Sequence, residues 1–262
     1  MTGFKAIAAE MRGNDTMTAQ IPESWRQGRT AYGGLTTGLA LSAVMTAFPG
    51  LPPLRSVQMT FVGPVTVDPV FTPVILRRGR NVTSVRVDAS IDAQIVATAV
   101  FIFGGAREST VSAECPAPDA PPPEACEPFT PPEIENLVPS FFLRFDTRLV
   151  AGARPTSGAK EGYIRVWSRH KDEASRDGAA SFLTIGDVLP PAAMPTFKTF
   201  GPVRSVNWQV NVLRPITTEN GWWHVETRQT AAQDGYSSQV MRYWNTNGNL
   251  VAEGMQSVAI FV

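Results

Sequence analysis

The feature that most restricts the fold is that the chain repeats itself. Leu54-Arg55-Ser56-Val57-Gln58 returns as Val203-Arg204-Ser205-Val206-Asn207, and each copy is followed by Pro-[Val/Ile]-Thr, at Pro64-Val65-Thr66 and Pro215-Ile216-Thr217. A closing apolar run ends each copy, Ile95-Val96-Ala97 in one and Leu250-Val251-Ala252 in the other. One supersecondary unit built twice gives this pattern. Between the copies, the stretch from Cys115 to Pro132 carries prolines too densely for a helix or a central strand, because each fixes φ and removes a backbone donor. It reads as an extended connector. The chain of 262 residues therefore divides into an N-terminal unit, 1–112, a proline-rich connector, 113–135, and a C-terminal unit, 136–262.

Within the first unit a weakly alternating stretch, 16–22, precedes a run from Gly33 to Phe48 with Leu35, Leu39, Ala43 and Val44 at helical spacing, stopped by Pro49-Gly50. Four strand-like runs follow near 54–63, 67–78, 82–91 and 94–103. The second unit repeats the order: strands near 141–149 and 161–170, an apolar helical stretch from Gly178 to Leu189, then strands near 202–213, 222–232, 236–245 and 249–262. Asn247-Gly248 marks a tight hairpin. One helix per meander of strands favours α+β over a parallel sheet, in which helices separate nearly every strand. A helix as apolar as Leu35 to Val44 needs cover on nearly every side, which a sheet curled around it supplies.

Several chemistries are excluded. The 23 basic and 23 acidic side chains cancel, so the chain lacks the basic footprint of a nucleic-acid or membrane-surface partner. Cys115 and Cys126, the only cysteines, form neither a disulfide framework nor a metal motif. Met1 to Gly13, with Lys5, Glu10 and Arg12, does not read as a signal peptide, and no apolar run reaches the roughly eighteen residues of a membrane span, so a cytoplasmic setting is expected. Gly33-Gly34-Leu35-Thr36-Thr37-Gly38 fits neither a dinucleotide fingerprint nor a P-loop, and no Gly-x-Ser-x-Gly elbow exists. His170, between Arg169 and Lys171, reads as a solvated strand end, and His224 follows two tryptophans without a signalled partner. Neither presents itself as a base.

Three polar residues stand out. Asp187 is the one charge between Gly178 and Phe197, amid Phe182, Leu183, Ile185, Val188 and Leu189. Either it is buried and its oxygens accept hydrogen bonds, or it ends the helix before Pro190-Pro191 and points to water. Gln256 interrupts the apolar row Leu250, Ala252, Gly254, Val258, Ile260, as a satisfied core amide or as a functional one. Alternation places Ser205 with Asn207, Gln209 and Asn211 on a polar face, opposite Val206, Trp208 and Val210, which by itself indicates solvent exposure.

Tyr32-Gly33-Gly34 opening an apolar helix, the Arg55-Ser56-Val57-Gln58 strand, Arg78-Gly79-Arg80 leading into Val82–Val87, and Val96-Ala97-Thr98-Ala99 together resemble a hotdog thioesterase. The duplicated order resembles the type II acyl-CoA thioesterases, whose two hotdog units lie in one chain. That resemblance implies a tandem double hotdog of α+β class, two long helices each wrapped by a curved antiparallel sheet, and hydrolysis of an acyl-CoA to free acid and CoA without metal or cofactor. The family's catalytic Asp, Thr and Gln are matched by Asp187, which shortly precedes Leu189-Pro190, by Ser205 and by Gln256. Serine replaces threonine, keeping the hydroxyl and losing a methyl, and the segment from the aspartate to the hydroxyl is shorter.

On this reading Asp187, Ser205 and Gln256 activate a water, Gly33 and Gly34 approach the substrate closely and offer backbone N–H groups, and Arg77, Arg78 and Arg80 contact the CoA phosphates. The expected partners are acyl-CoA and a second copy of the chain covering the outer sheet faces. The alternatives are a non-catalytic acyl-CoA or acyl-chain binding protein and an enoyl-CoA hydratase, whose Asp/His pairing at a helix start has no match here.

Overall fold

The computed structural model describes residues 2–262; Met1, where the N-terminal unit and the leading stretch begin, lies outside them. The first half runs α1 (Phe4–Ala9), β1 (Met17–Thr18), β2 (Arg26–Gln27), β3 (Thr30–Ala31), α2 (Gly33–Ala47), β4 (Leu54–Phe61), β5 (Val70–Arg78), β6 (Val82–Ile91) and β7 (Gln94–Gly104). The second runs β8 (Phe145–Gly152), β9 (Tyr163–His170), α3 (Ala179–Gly186), β10 (Val203–Val212), β11 (Trp223–Gln233), β12 (Tyr236–Trp244) and β13 (Leu250–Ile260). Apart from the β2–β3 ribbon, all strands join one sheet of 11, ordered β1-β5-β6-β7-β4-β10-β13-β12-β11-β9-β8.

The duplication is visible in that order. Read outward from the β4–β10 junction, the two halves follow the same path, 4-7-6-5-1 and 10-13-12-11-9, with β8 added at the far edge. At the junction Gln209 pairs with Gln58 and Asn207 with Thr60, antiparallel. The fold is a double hotdog.

Helix α2 is buried on every side from Gly34 to Leu41, as its composition requires. Leu35, Leu39, Leu41 and Val44 are fully buried, each contributing roughly 1.5–3 kcal/mol from area removed from water. Glycine inside a helix costs about 1 kcal/mol against alanine, and Gly38 shows why it stands there. A Cβ at that position would lie 2.9 Å from the Ala180 carbonyl oxygen and 2.8 Å from Thr184 Cγ2, so the glycine lets α2 and α3 pack backbone to backbone.

The second helix is shorter than the Gly178–Leu189 stretch suggests. It closes at Gly186, with Asp187 as C-cap at φ −103° and ψ 11°. Pro190 and Pro191 follow and cannot extend a helix. The carbonyls left over at its end are taken by tyrosines: Tyr32 Oη donates to Thr184 O at 2.7 Å and Tyr243 Oη to Gly186 O at 2.7 Å. The strand expected near 141–149 begins only at Phe145, because Ser140–Arg144 forms a 3₁₀ turn behind Pro139. The stretch 16–22 contributes just Met17 and Thr18 to the sheet.

The connector is more than a spacer. It crosses the outer face of the second half's sheet, where Trp244 Nε1 donates to Cys115 O at 2.8 Å, Trp167 Nε1 to Pro121 O at 2.9 Å and Arg165 Nη2 to Asp119 O at 3.1 Å. Trp167, Trp222, His224 and Trp244 are buried as a result. Part of that face is thereby covered by the chain itself. Among the described residues no helix is long and apolar enough to cross a membrane.

Candidate active site

Ser205 reaches the interior through a break in the strand pattern. Along β10 the inner row is Trp208, Val210 and Val212, which pair with Gln256, Gly254 and Ala252 on β13. Simple alternation from Trp208 would put Val206 inside and Ser205 outside. The ladder instead steps from Asn207↔Ser257 to Ser205↔Val258, leaving Val206 as a bulged extra residue. One inserted residue reverses the phase of everything before it. Ser205 therefore joins the face of Gln256 and Val258, correcting the solvent-facing reading that periodicity gives.

Three side chains meet there. Gln256, 3% exposed, donates from Nε2 to Asp187 Oδ1 at 2.9 Å and to Ser205 Oγ at 3.0 Å. The backbone N–H of Gly34, in the first turn of α2, donates to the Asp187 carboxylate as well. Asp187 is half-buried and keeps a path to solvent. Loss of hydration pushes its pKa up, against the lowering effect of the Gln256 and Gly34 hydrogen bonds, to about 7. Desolvation prevails because the carboxylate has no cationic partner: no salt bridge to it exists among the described residues.

The Acyl-CoA thioesterase C-terminal domain matches residues 117–260 and the Acyl-CoA thioesterase N-terminal domain matches residues 21–104. The chain belongs to the acyl-CoA thioesterase family. It is a thioester hydrolase. A hot dog fold protein of unknown function from Alicyclobacillus acidocaldarius superposes with a TM-score of 0.89 at 22% identity, over 100% of this chain and 99% of that one. The tesB protein of Mycobacterium avium subs paratuberculosis gives 0.80 at 19% identity, over 99% and 98% of the two chains. An acyl-CoA thioesterase II, TesB2, from Mycobacterium marinum gives 0.77 at 17%, also over 99% and 98%. A search of curated proteins finds no match.

In the thioesterase, the glycines at the start of α2 border the carboxylate. A Cβ on Gly33 would fall 2.7 Å from Asp187 Oδ2 and 3.0 Å from Phe61 Cζ, so only glycine leaves the carboxylate its place. Arg77, Arg78 and Arg80 are not brought to this point. Arg78 and Arg80 line a cleft of about 590 Å³ with Pro49–Pro52 and Arg107, beyond the other end of α2. At about 1.5 Å per residue, the 15 residues of that helix put the cluster roughly 20 Å from Asp187.

Neither histidine is hydrogen-bonded to Asp187, Ser205 or Gln256. His170 is buried on the inner row of β9 rather than solvated, and burial lowers its pKa to about 4. Its Nε2 lies 2.7 Å from Thr184 Oγ1, whose hydrogen goes to Ser181 O at 2.7 Å, so the neutral ring carries its proton on Nε2. His224, stacked on Trp167 beneath the connector, is lowered to about 4 as well, mainly by burial and further by Arg165. Among the described residues no cluster of His, Cys, Asp and Glu fits a metal.

Sequence reading passes over Gln239. It is wholly buried on the inner row of β12, opposite Gln256, and donates from Nε2 to Gln256 Oε1 at 2.8 Å while its own Oε1 accepts from Ala192 N at 2.6 Å. The available signal was the alternation Ser237, Gln239, Met241, Tyr243, which puts an amide in a core-facing row.

Proposed function

We propose that the chain hydrolyses acyl-CoA to free acid and CoA, with Asp187 as general base, Ser205 and Gln256 as its partners, and no covalent intermediate on the protein. The two units, 1–112 and 136–262, then carry the reaction jointly: the second supplies the base and its partners, the first supplies the glycine-opened helix.

The observation that carries the reading is the hydrogen-bond bookkeeping around Asp187. Both hydrogens of Gln256 Nε2 are committed, one to Asp187 Oδ1 and one to Ser205 Oγ. Ser205 Oγ is thus an acceptor from Gln256 and retains its own hydrogen for an incoming group. A water placed between them donates to the ionised carboxylate and accepts from Ser205, which aims its remaining lone pair outward at a thioester carbon. As the O–C bond forms, Asp187 takes the water's proton and the carbonyl electrons move to oxygen. Collapse of that intermediate breaks the C–S bond, and the departing thiolate receives the proton that Asp187 had taken, giving acid and thiol and restoring the carboxylate. A base with a pKa near 7 suits this task at neutral pH.

The developing oxyanion needs donors. Gly33 N–H, in the first turn of α2, has no intrahelical acceptor and sits beside Asp187 at the positive end of the helix dipole. Tyr32 and Tyr243 stay protonated, since burial and then the Asp187 charge raise both well above the ordinary phenol value. They hold the α3 terminus, and hence Asp187, in position. A hydratase needs a histidine in the site, and neither histidine bonds to Asp187, Ser205 or Gln256: His170 is bonded to Thr184 and Ser181, and His224 stacks on Trp167.

The test is release of free thiol from short, medium and long acyl-CoAs. Turnover that falls at least about 100-fold in Asp187→Asn with the fold intact supports the reading; tight acyl-CoA binding with no thiol release across the panel replaces it by a binding role.

A further inference from the structure

We propose that Gln239 is a positioning residue for hydrolysis: it fixes which end of the Gln256 amide faces Asp187 and Ser205. The inference rests on the reading of the site given above and adds a residue to it.

An amide side chain has an acceptor end and a donor end of nearly the same shape, so packing alone does not choose between its two orientations. Hydrogen bonding does. The backbone N–H of Ala192 can only donate, and it meets the side chain of Gln239 at 2.6 Å, so the end of Gln239 facing it is the oxygen. The other end is then the NH₂ group, which requires an acceptor and finds Gln256 Oε1 at 2.8 Å. With its oxygen held there, Gln256 has only its NH₂ to present to Asp187 Oδ1 and Ser205 Oγ. One backbone donor thereby sets two successive amides and delivers hydrogens, rather than a lone pair, to the base.

The reverse orientation would place an amide oxygen against a carboxylate oxygen and against the lone pairs of Ser205. Both amides are buried, Gln239 completely and Gln256 at 3% exposure, so no bulk water substitutes for a missing partner. Ala192 is also fully buried and lies on the segment that leaves Asp187 for β10. The relay thus ties the backbone just after the base to the strand that carries the base's partner.

The experiment is a double-mutant cycle on kcat/KM for acyl-CoA hydrolysis, using Gln239→Met, Gln256→Met and the pair, with urea denaturation run on each. Gln239→Met keeps the volume and removes both hydrogen-bonding ends. Turnover is expected to fall on the order of 10- to 100-fold with KM within about threefold. The loss is expected to vanish in the Gln256→Met background, because Gln239 acts only through Gln256. The apparent pKa of the rate profile is expected to rise in Gln239→Met, since Asp187 loses part of the donor that lowers it.

A second variant guards against a folding defect. Gln239→Glu keeps the acceptor for Ala192 N–H and the side-chain volume, but its ionised form draws the NH₂ of Gln256 away from Asp187. Its activity is expected to decline as pH rises, where the wild type gains. Losses that multiply in the double mutant, or a Gln239→Glu enzyme with the wild-type profile, overturn the positioning role. Full activity in Gln256→Met instead overturns the underlying site, a distinguishable result.

Discussion

Replacing Asp187 by Asn is expected to make the protein more stable at alkaline pH while it removes catalysis. The carboxyl is held near 7 in the folded chain, against an ordinary value of 3.8. A carboxyl whose folded pKa lies above its unfolded one carries no penalty below about pH 4, where both states are protonated. As pH rises from there towards 7 the unfolded chain gives up its proton and the folded chain does not, so stability falls, and the loss is complete above about 7. At about 1.36 kcal/mol per unit, a shift of roughly three units penalises the ionised native state by on the order of 4 kcal/mol.

Between pH 5 and pH 8.5 the share of that penalty that develops is about 2.5 kcal/mol. Asparagine does not ionise, so it escapes the penalty, although it gives up the charge-assisted component of the Gln256 and Gly34 hydrogen bonds, roughly 1–3 kcal/mol at every pH. The pH-independent loss cancels when the two pH values are compared. Urea unfolding of both proteins at pH 5 and pH 8.5 should therefore show the stability difference moving by about 2.5 kcal/mol in favour of Asn, with kcat/KM of the wild type rising through an apparent pKa near 7. A stability difference that is the same at both pH values would falsify the raised pKa, and with it the choice of Asp187 as the base.

Ser205→Ala should lower kcat/KM roughly tenfold or more by removing the hydrogen left for the incoming group, and Ser205→Thr should restore most of it; thiol-release kinetics compare the two. Deleting Val206 closes the bulge but leaves Ser205 beside Asn207 and opposite Val258, so Ser205 stays on the inner face and this variant should lose less kcat/KM than Ser205→Ala while its circular dichroism stays that of a folded chain. Gly38→Ala should destabilise the fold by roughly 1–3 kcal/mol in urea, because the new methyl meets the Ala180 backbone carbonyl as well as the buried Thr184 and Phe4 side chains. His224→Gln should leave kcat/KM within about twofold, since that ring lies under the connector on the outer face of the sheet; a large loss would reopen the case for a histidine base.

Sequence alone settled the features that follow from local pattern. The repeat, the succession of strands and helix along each half and the buried helix Leu35–Val44 were readable because strands alternate with period 2, and because a helix apolar on all sides has to be wrapped, whereas the pairing of β4 with β7 in place of β5 was not. Asp187 and Gln256 were conspicuous as polar interruptions of apolar surroundings. What periodicity misassigned is equally instructive: Ser205 alternates with an outward polar row and is turned inward by one unpaired residue, Val206. His170 looks solvated between Arg169 and Lys171, yet it is on the inner row of β9 and packs beneath α3.

Only the tertiary structure decided which polar groups meet. Asp187, Ser205, Gln256 and Gln239 come from α3, β10, β13 and β12, and Gly34 comes from the other half of the chain. No spacing in the sequence encodes those distances, because they depend on strand register, on a bulge and on how closely two helices approach through Gly38. Burial of a carboxylate is likewise a property of everything packed around it, so its displaced pKa is set by the assembled fold and not by its neighbours in sequence.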